Sequence, residues 1–201
     1  RLWAARRAPD GGGRGAGEVV PQRVGELHPA LQHRPLGRAQ LVRWTTARGD
    51  TLAGALLLPP GHRPGQRHPL IVKVYGGSRL SNAVHRFGLE PDVDNLQLLA
   101  TRGYAVYLPD TPLRVGTPAA DLAAAVLPGL DAVLALGVAD PARVGLLGHS
   151  YGGYSVLALL TQSDRFCAAV SSGGFSSLLS HYGELRADGS AGGHNGLKSV
   201  Q

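Results

Sequence analysis

The chain has 201 residues, 43% of them hydrophobic, enough to pack one domain around a real core and too few for two large ones. Its formal charge of +6 does not mark a nucleic-acid binder: residues 1–70 hold 11 Arg against 4 acidic residues, net +7, and residues 71–201 hold 9 basic against 10 acidic residues, net −1. The excess is scattered arginine without a run or aromatic interleaving, so no nucleic-acid partner is expected.

No stretch approaches the ~20 apolar residues of a membrane span, and no membrane partner is expected either. Cys167, the single cysteine, has no internal disulfide partner and lies in an apolar run, where a buried thiol is the expectation. The composition includes no methionine, which reads as a piece of a longer frame. The compartment and the oligomeric state stay open, and no metal or cofactor motif is read.

In chain order, residues 1–37 are rich in Gly, Arg and Pro, with the run Gly11-Gly12-Gly13-Arg14-Gly15, and show no sustained period. They are expected to be loops: a linker or the tail of a preceding module. Gln40–Ala47 and Thr51–Leu58 are extended segments around the turn Arg48-Gly49-Asp50, a predicted hairpin. The prolines at 59, 60, 64 and 69 mark a surface connection.

From Leu70 the pattern changes to short apolar runs alternating with helical ones, the mark of a mostly parallel, doubly wound sheet. Predicted strands are Leu70–Tyr75, Ala105–Leu108, Val144–Leu147 and Cys167–Val170. Between them lie helices over Asn95–Thr101, Ala119–Leu136 and Tyr151–Thr161. The second places Leu122, Val126, Leu130 and Val133 on one face, with Pro128 expected to kink or restart it. The fold class is α/β, with the domain over 38–183 and a Gly-rich tail over 184–201.

Gly148-His149-Ser150-Tyr151-Gly152 matches the G-x-S-x-G nucleophile elbow and falls between a predicted strand and a predicted helix, where that turn belongs. A serine in so tight a turn needs neighbours without side chains, which Gly148 and Gly152 supply, with Gly153 beyond them. Ser150 is the candidate nucleophile, and the N–H of Tyr151 a ready donor to an oxyanion at the helix start. Upstream, Val74-Tyr75-Gly76-Gly77 ends the first parallel strand, where hydrolases of this kind place a second donor. Either the Tyr75 hydroxyl or an N–H of the glycine pair, Gly76 foremost, fits that role.

These residues resemble the catalytic α/β-hydrolase domain of the prolyl oligopeptidase family of serine peptidases, over roughly residues 36 to 190. Gly37–Pro60 is similar to the entry into that domain, and Lys73-Val74-Tyr75-Gly76-Gly77 resembles the family's oxyanion tyrosine motif. The segments 102–106 and 137–144 resemble the approaches to its next strands, and Gly148-His149-Ser150-Tyr151-Gly152-Gly153-Tyr154 its own elbow. The resemblance implies cleavage of peptide bonds through an acyl-enzyme on Ser150, after proline in the prolyl and dipeptidyl branches, with no cofactor. It also implies a β-propeller-like module ahead of the domain, of which residues 1–37 would be the tail.

In this fold the triad runs Ser, then acid, then His, and 51 residues follow Ser150. The family's aspartate and histidine lie farther on, so neither is expected in this chain, the domain is expected to be incomplete at its C-terminus, and the chain alone is expected to be inactive. His149 is read as a packing or specificity residue, and neither His181 nor His194 is read as the base. The tail Gly189–Val200 resembles the His-Asn motif of bacterial peptidyl-tRNA hydrolase, which suggests a chimeric join and implies no tRNA function. A carboxylesterase or lipase on the same fold and a non-catalytic α/β binding module are the alternatives.

Overall fold

The computed structural model describes residues 2–7, 19–25, 29–86, 95–185 and 188–190. The chain divides into two compact units, Arg1–Pro35 and Leu36–Gln201.

In the first unit, β1 (Leu2–Arg7) and β2 (Val19–Gly25) pair antiparallel, followed by a 3-10 turn over Pro29–His33. This differs from the loop expected over 1–37. Pro21 and the interspersed arginines hide the period-2 pattern, while Val19, Val20 and Val24 still supply β-branched residues. The glycine run 11–15 lies outside the described residues.

The second unit is built on a six-stranded sheet. The hairpin forms as expected from β3 (Arg38–Thr45) and β4 (Thr51–Leu58), closing at Thr45 opposite Thr51. Then come β5 (His68–Lys73), α1 (Leu96–Thr101), β6 (Ala105–Pro109), α2 (Pro118–Ala135), β7 (Ala139–His149), α3 (Tyr151–Leu160), β8 (Ala168–Ser172) and α4 (Leu178–Tyr182). The strand order is β3-β4-β6-β5-β7-β8. β3 and β4 run antiparallel to their neighbours, and β6, β5, β7 and β8 run parallel to one another.

Side-chain alternation separates two cores. Leu56 and Tyr107 face the larger core with Trp44 and the buried stripe of α2 and α3. Leu57, Val106 and Leu108 face the smaller one with Leu96 and Ala100 of α1. All five residues of β6 are buried, as a central parallel strand requires.

Leu122, Val126, Leu130 and Val133 are fully buried, as their spacing foretells. α2 is long and apolar enough to cross a membrane by length and composition, yet this stripe is spent on the sheet. The helix is continuous through Pro128, so it does not restart there.

Two further expectations fail. β7 starts at Ala139, five residues before the predicted Val144, because the Asp140–Arg143 stretch bulges between His68↔Ala139 and Leu70↔Val144 pairing. Asp140 accepts from the Ala142 N–H at 3.0 Å and from Arg143 Nε at 2.7 Å, and that turn chemistry reads as a loop. Cys167 is exposed rather than buried, since it immediately precedes β8, the sheet-edge strand, all five of whose residues are exposed.

Candidate active site

Ser150 lies at the carboxyl end of β7 and caps α3, with φ 57° and ψ −121°. Among the described residues it is the only non-glycine at positive φ, the strained geometry of a strand-to-helix elbow. Its N–H donates to the Ser172 carbonyl of β8 at 2.8 Å, and its carbonyl accepts from Gly153 at 2.8 Å. The turn is thus held from both sides.

The surrounding glycines are close approaches. A Cβ on Gly148 would strike the backbone of Gly152, one on Gly152 would stand 2.5 Å from the Val74 carbonyl, and one on Gly153 would stand 2.7 Å from the Gly174 Cα. The third contact brings the loop after β8 against the elbow, and the second brings in the end of β5. Beyond β5, Val74 donates to the Leu147 carbonyl at 2.9 Å, so its backbone still tracks β7 as the chain turns at Gly76-Gly77.

The Gly76 N–H donates to Ser155 Oγ at 3.1 Å, and the Gly77 N–H to the Thr111 carbonyl at 2.7 Å. Both glycine amides are therefore engaged, which removes Gly76 as an oxyanion donor and leaves Tyr75 as the side of that alternative still open. Thr111 Oγ1 donates to the Tyr75 carbonyl at 2.8 Å. The Tyr75 and Tyr151 rings lie 6.0 Å apart, and Tyr75 is partly exposed beside a cleft of about 460 Å³ whose wall includes Ser150, His149, Ser78, Leu80 and Arg86.

Tyr151 belongs to an aromatic cluster: its ring lies 5.4 Å from Tyr154 and 5.9 Å from Phe175, and Phe175 stacks on Tyr154 and on His181. Burial, with Tyr154 and Tyr75 nearby, pushes the Tyr151 phenol up to about 12, and burial raises Tyr154 as well. Tyr151 and Tyr154 thus stay neutral at neutral pH, so neither puts an anion beside the elbow to compete with an oxyanion.

Among the described residues, no imidazole or carboxylate is hydrogen-bonded to the Ser150 hydroxyl. His149 places Nδ1 3.2 Å from Ser172 Oγ. His181 stacks on Phe175 and reaches Glu184 at 3.1 Å. His194 and most of the glycine-rich tail lie outside the described residues.

Residues 119–195, which hold α2, the elbow and α4, match the Prolyl oligopeptidase family. The chain belongs to the prolyl oligopeptidase family. Human dipeptidyl peptidase 8 is 29% identical over 148 residues, 65% of this chain and 16% of that protein. The lasso peptide isopeptidase AtxE2 of Asticcacaulis excentricus is 31% identical over 176 residues, 78% of this chain and 24% of that protein.

The solved apo AtxE2 structure superposes with TM-score 0.61 at 27% identity, covering 92% of this chain and 29% of its own. The acylaminoacyl peptidase of Pyrococcus horikoshii, at TM-score 0.64 and 24% identity over 83% of this chain and 28% of its own, shows the shared α/β-hydrolase fold. The chain therefore spans less than a third of the length of these relatives.

Several residues of this prolyl oligopeptidase family site escaped the sequence reading. Ser155 reads as an ordinary helix position, and Thr111 as a loop residue between Pro109 and Pro112. Phe175 follows Gly173-Gly174, and that glycine pair was the one local signal available; Gly174 packs on Gly153 and Gly173 against His149.

Proposed function

We propose that this chain carries the nucleophile of a serine peptidase, with Ser150 attacking the carbonyl carbon of a peptide substrate. The observation that carries the reading is the positive φ of Ser150 at the junction of β7 and α3. That strain is retained because it lifts the hydroxyl off the strand end toward the cleft.

As Ser150 Oγ bonds to the carbonyl carbon, its proton passes to a general base, and the carbonyl oxygen becomes an oxyanion. Tyr151 is the first residue of α3, so its N–H has no acceptor within the helix and sits at the positive end of the helix dipole. That N–H and the Tyr75 hydroxyl stabilise the oxyanion. Collapse breaks the C–N bond, the amine leaves with the proton returned by the base, and water then hydrolyses the Ser150 ester.

The base lies outside the described residues that neighbour Ser150. It follows the nucleophile and the acid in the triad order of this fold. Peptides are the proposed substrates; the relative AtxE2 is named for action on a lasso peptide.

The test is hydrolysis of chromogenic peptide amides and matched esters by the complete natural protein. Amide cleavage that falls at least about a thousandfold in Ser150→Ala is the expected result. Amide cleavage surviving that substitution would falsify the assignment.

A further inference from the structure

The hydroxyl of Ser155 joins two parts of the site that lie far apart in sequence. Ser155 is fully buried on α3. Its Oγ accepts from the Gly76 N–H at 3.1 Å and donates to the Tyr151 carbonyl at 2.8 Å. One side chain therefore ties Gly76, the residue after Tyr75, to Tyr151, and so couples the two residues, Tyr75 and Tyr151, that supply the oxyanion donors.

The space around this bridge is closed. A Cβ on Gly76 would stand 2.7 Å from Tyr151 Cε1, 2.9 Å from Leu113 Cδ1 and 3.2 Å from Ser155 Oγ, and Gly76 is buried. If the hydroxyl is removed, the Gly76 N–H loses its acceptor, and a buried donor without one reorganises its surroundings to find another. The nearest covalent consequence is movement of Tyr75. The Thr111 contacts to the Tyr75 carbonyl and the Gly77 N–H hold that loop toward β6, so Ser155 is the contact that holds it toward the elbow.

We propose that Ser155 is a positioning residue that sets the separation between the Tyr75 hydroxyl and the Tyr151 N–H, and so tunes stabilisation of the oxyanion. It touches neither substrate nor reacting atoms. The inference rests on the nucleophile reading of Ser150 given above. Because it acts on a charge that develops only in the transition state, its loss falls on kcat and leaves KM in place.

The experiment is a double-mutant cycle on peptide amide hydrolysis by the complete natural protein, using Ser155→Ala, Tyr75→Phe and the pair, with Ser150→Ala as control. Ser155→Ala is expected to lower kcat about tenfold with KM within about twofold, and to add nothing once Tyr75 is Phe. Ser155→Cys keeps the side-chain shape at a slightly larger size and weakens the acceptor, so a kcat loss of the same kind is expected from it, which guards against a folding failure of the alanine variant. Turnover abolished by Ser150→Ala but unchanged by Ser155→Ala and Ser155→Cys overturns the Ser155 inference alone, as do losses that multiply with that of Tyr75→Phe. Turnover that survives Ser150→Ala overturns the nucleophile reading and this inference with it.

Discussion

Tyr75 is the residue on which the oxyanion account is most exposed. With the Gly76 and Gly77 amides donated to Ser155 and Thr111, the Tyr75 hydroxyl is the remaining donor at the end of β5. Tyr75→Phe removes one oxygen and keeps the ring against Tyr151, so kcat is expected to fall about a hundredfold with KM little changed. A loss confined to KM would assign Tyr75 to binding instead. Gly152→Ala is a different kind of residue-scale change. Its Cβ would stand 2.5 Å from the Val74 carbonyl, which is backbone and has no rotamer to yield. A cost of about 1–3 kcal/mol is expected from the forced shift, seen as a lower denaturant midpoint, and an unchanged midpoint would show that the loop gives way freely. The Gly148–Gly152 contact was legible in the sequence because it is local, acting across four residues. Ser155 was not, because its partner Gly76 lies 79 residues away and no spacing rule records a contact made by the sheet.

At the scale of elements, α2 is pinned at its first turn by Asp121. That carboxylate is 4% exposed and takes Arg114 at 2.7 Å, Arg48 of the β3–β4 turn at 2.8 Å, and the Arg114 N–H at 2.8 Å. The Arg114 hydrogen bond, helped by Arg48, holds its pKa well below the usual carboxylate range against the opposing effect of burial. The stability it contributes is full above about pH 4, the unfolded value, and is lost as pH falls below it. Asp121→Ala strands the Arg114 N–H and both guanidiniums. Because the arginines are partly exposed, a loss of about 2 kcal/mol is expected, or roughly 4–8 °C in Tm, and a Tm within a degree of wild type would count against it.

A second pair acts on the entry to β5. His62 Nδ1 and His68 Nε2 are 2.9 Å apart, and burial first, then His62, lowers the His68 pKa below 6.5, with Arg143 adding to the effect and a bond to the Gly103 backbone opposing it. The unfolded chain then binds the proton more readily than the folded one, so stability is present above about pH 6.5 and declines as pH falls below it. Tm is expected to drop between pH 7.5 and 5.5 and to drop less in His68→Gln; an equal slope in both would exclude this pair as the cause. The hairpin, the helix faces and the parallel strands were readable from period and turn residues. The start of β7 was not, since Pro141 between Asp140 and Arg143 reads as a connection while the sheet absorbs it as a bulge.

For the molecule as a whole, the two ends of the larger sheet differ. At one end β3 and β4 form an antiparallel hairpin. At the other, β8 pairs with β7 and meets no further strand among the described residues, with Val170 56% exposed. Beside it, a groove of about 470 Å³ runs over Ile71, Leu99, Tyr104, Leu147 and Ala169. An unpaired edge next to an open apolar face favours association. The 201-residue chain by itself is expected to self-associate at micromolar concentration, and a monodisperse monomer in sedimentation would contradict that. The chain spans less than a third of its relatives' length, and the placement of the acid and base beyond the elbow is an expectation from the triad order alone.

The central claim is that the Ser150 hydroxyl is the reactive group, and covalent capture tests it most directly. The complete natural protein would be treated with a fluorophosphonate probe, digested, and mapped by mass spectrometry. A single adduct on the peptide holding Gly148–Gly152, at Ser150 and absent from Ser150→Ala, is the expected result. A folded protein that gives no adduct, or an adduct on another serine, would contradict it.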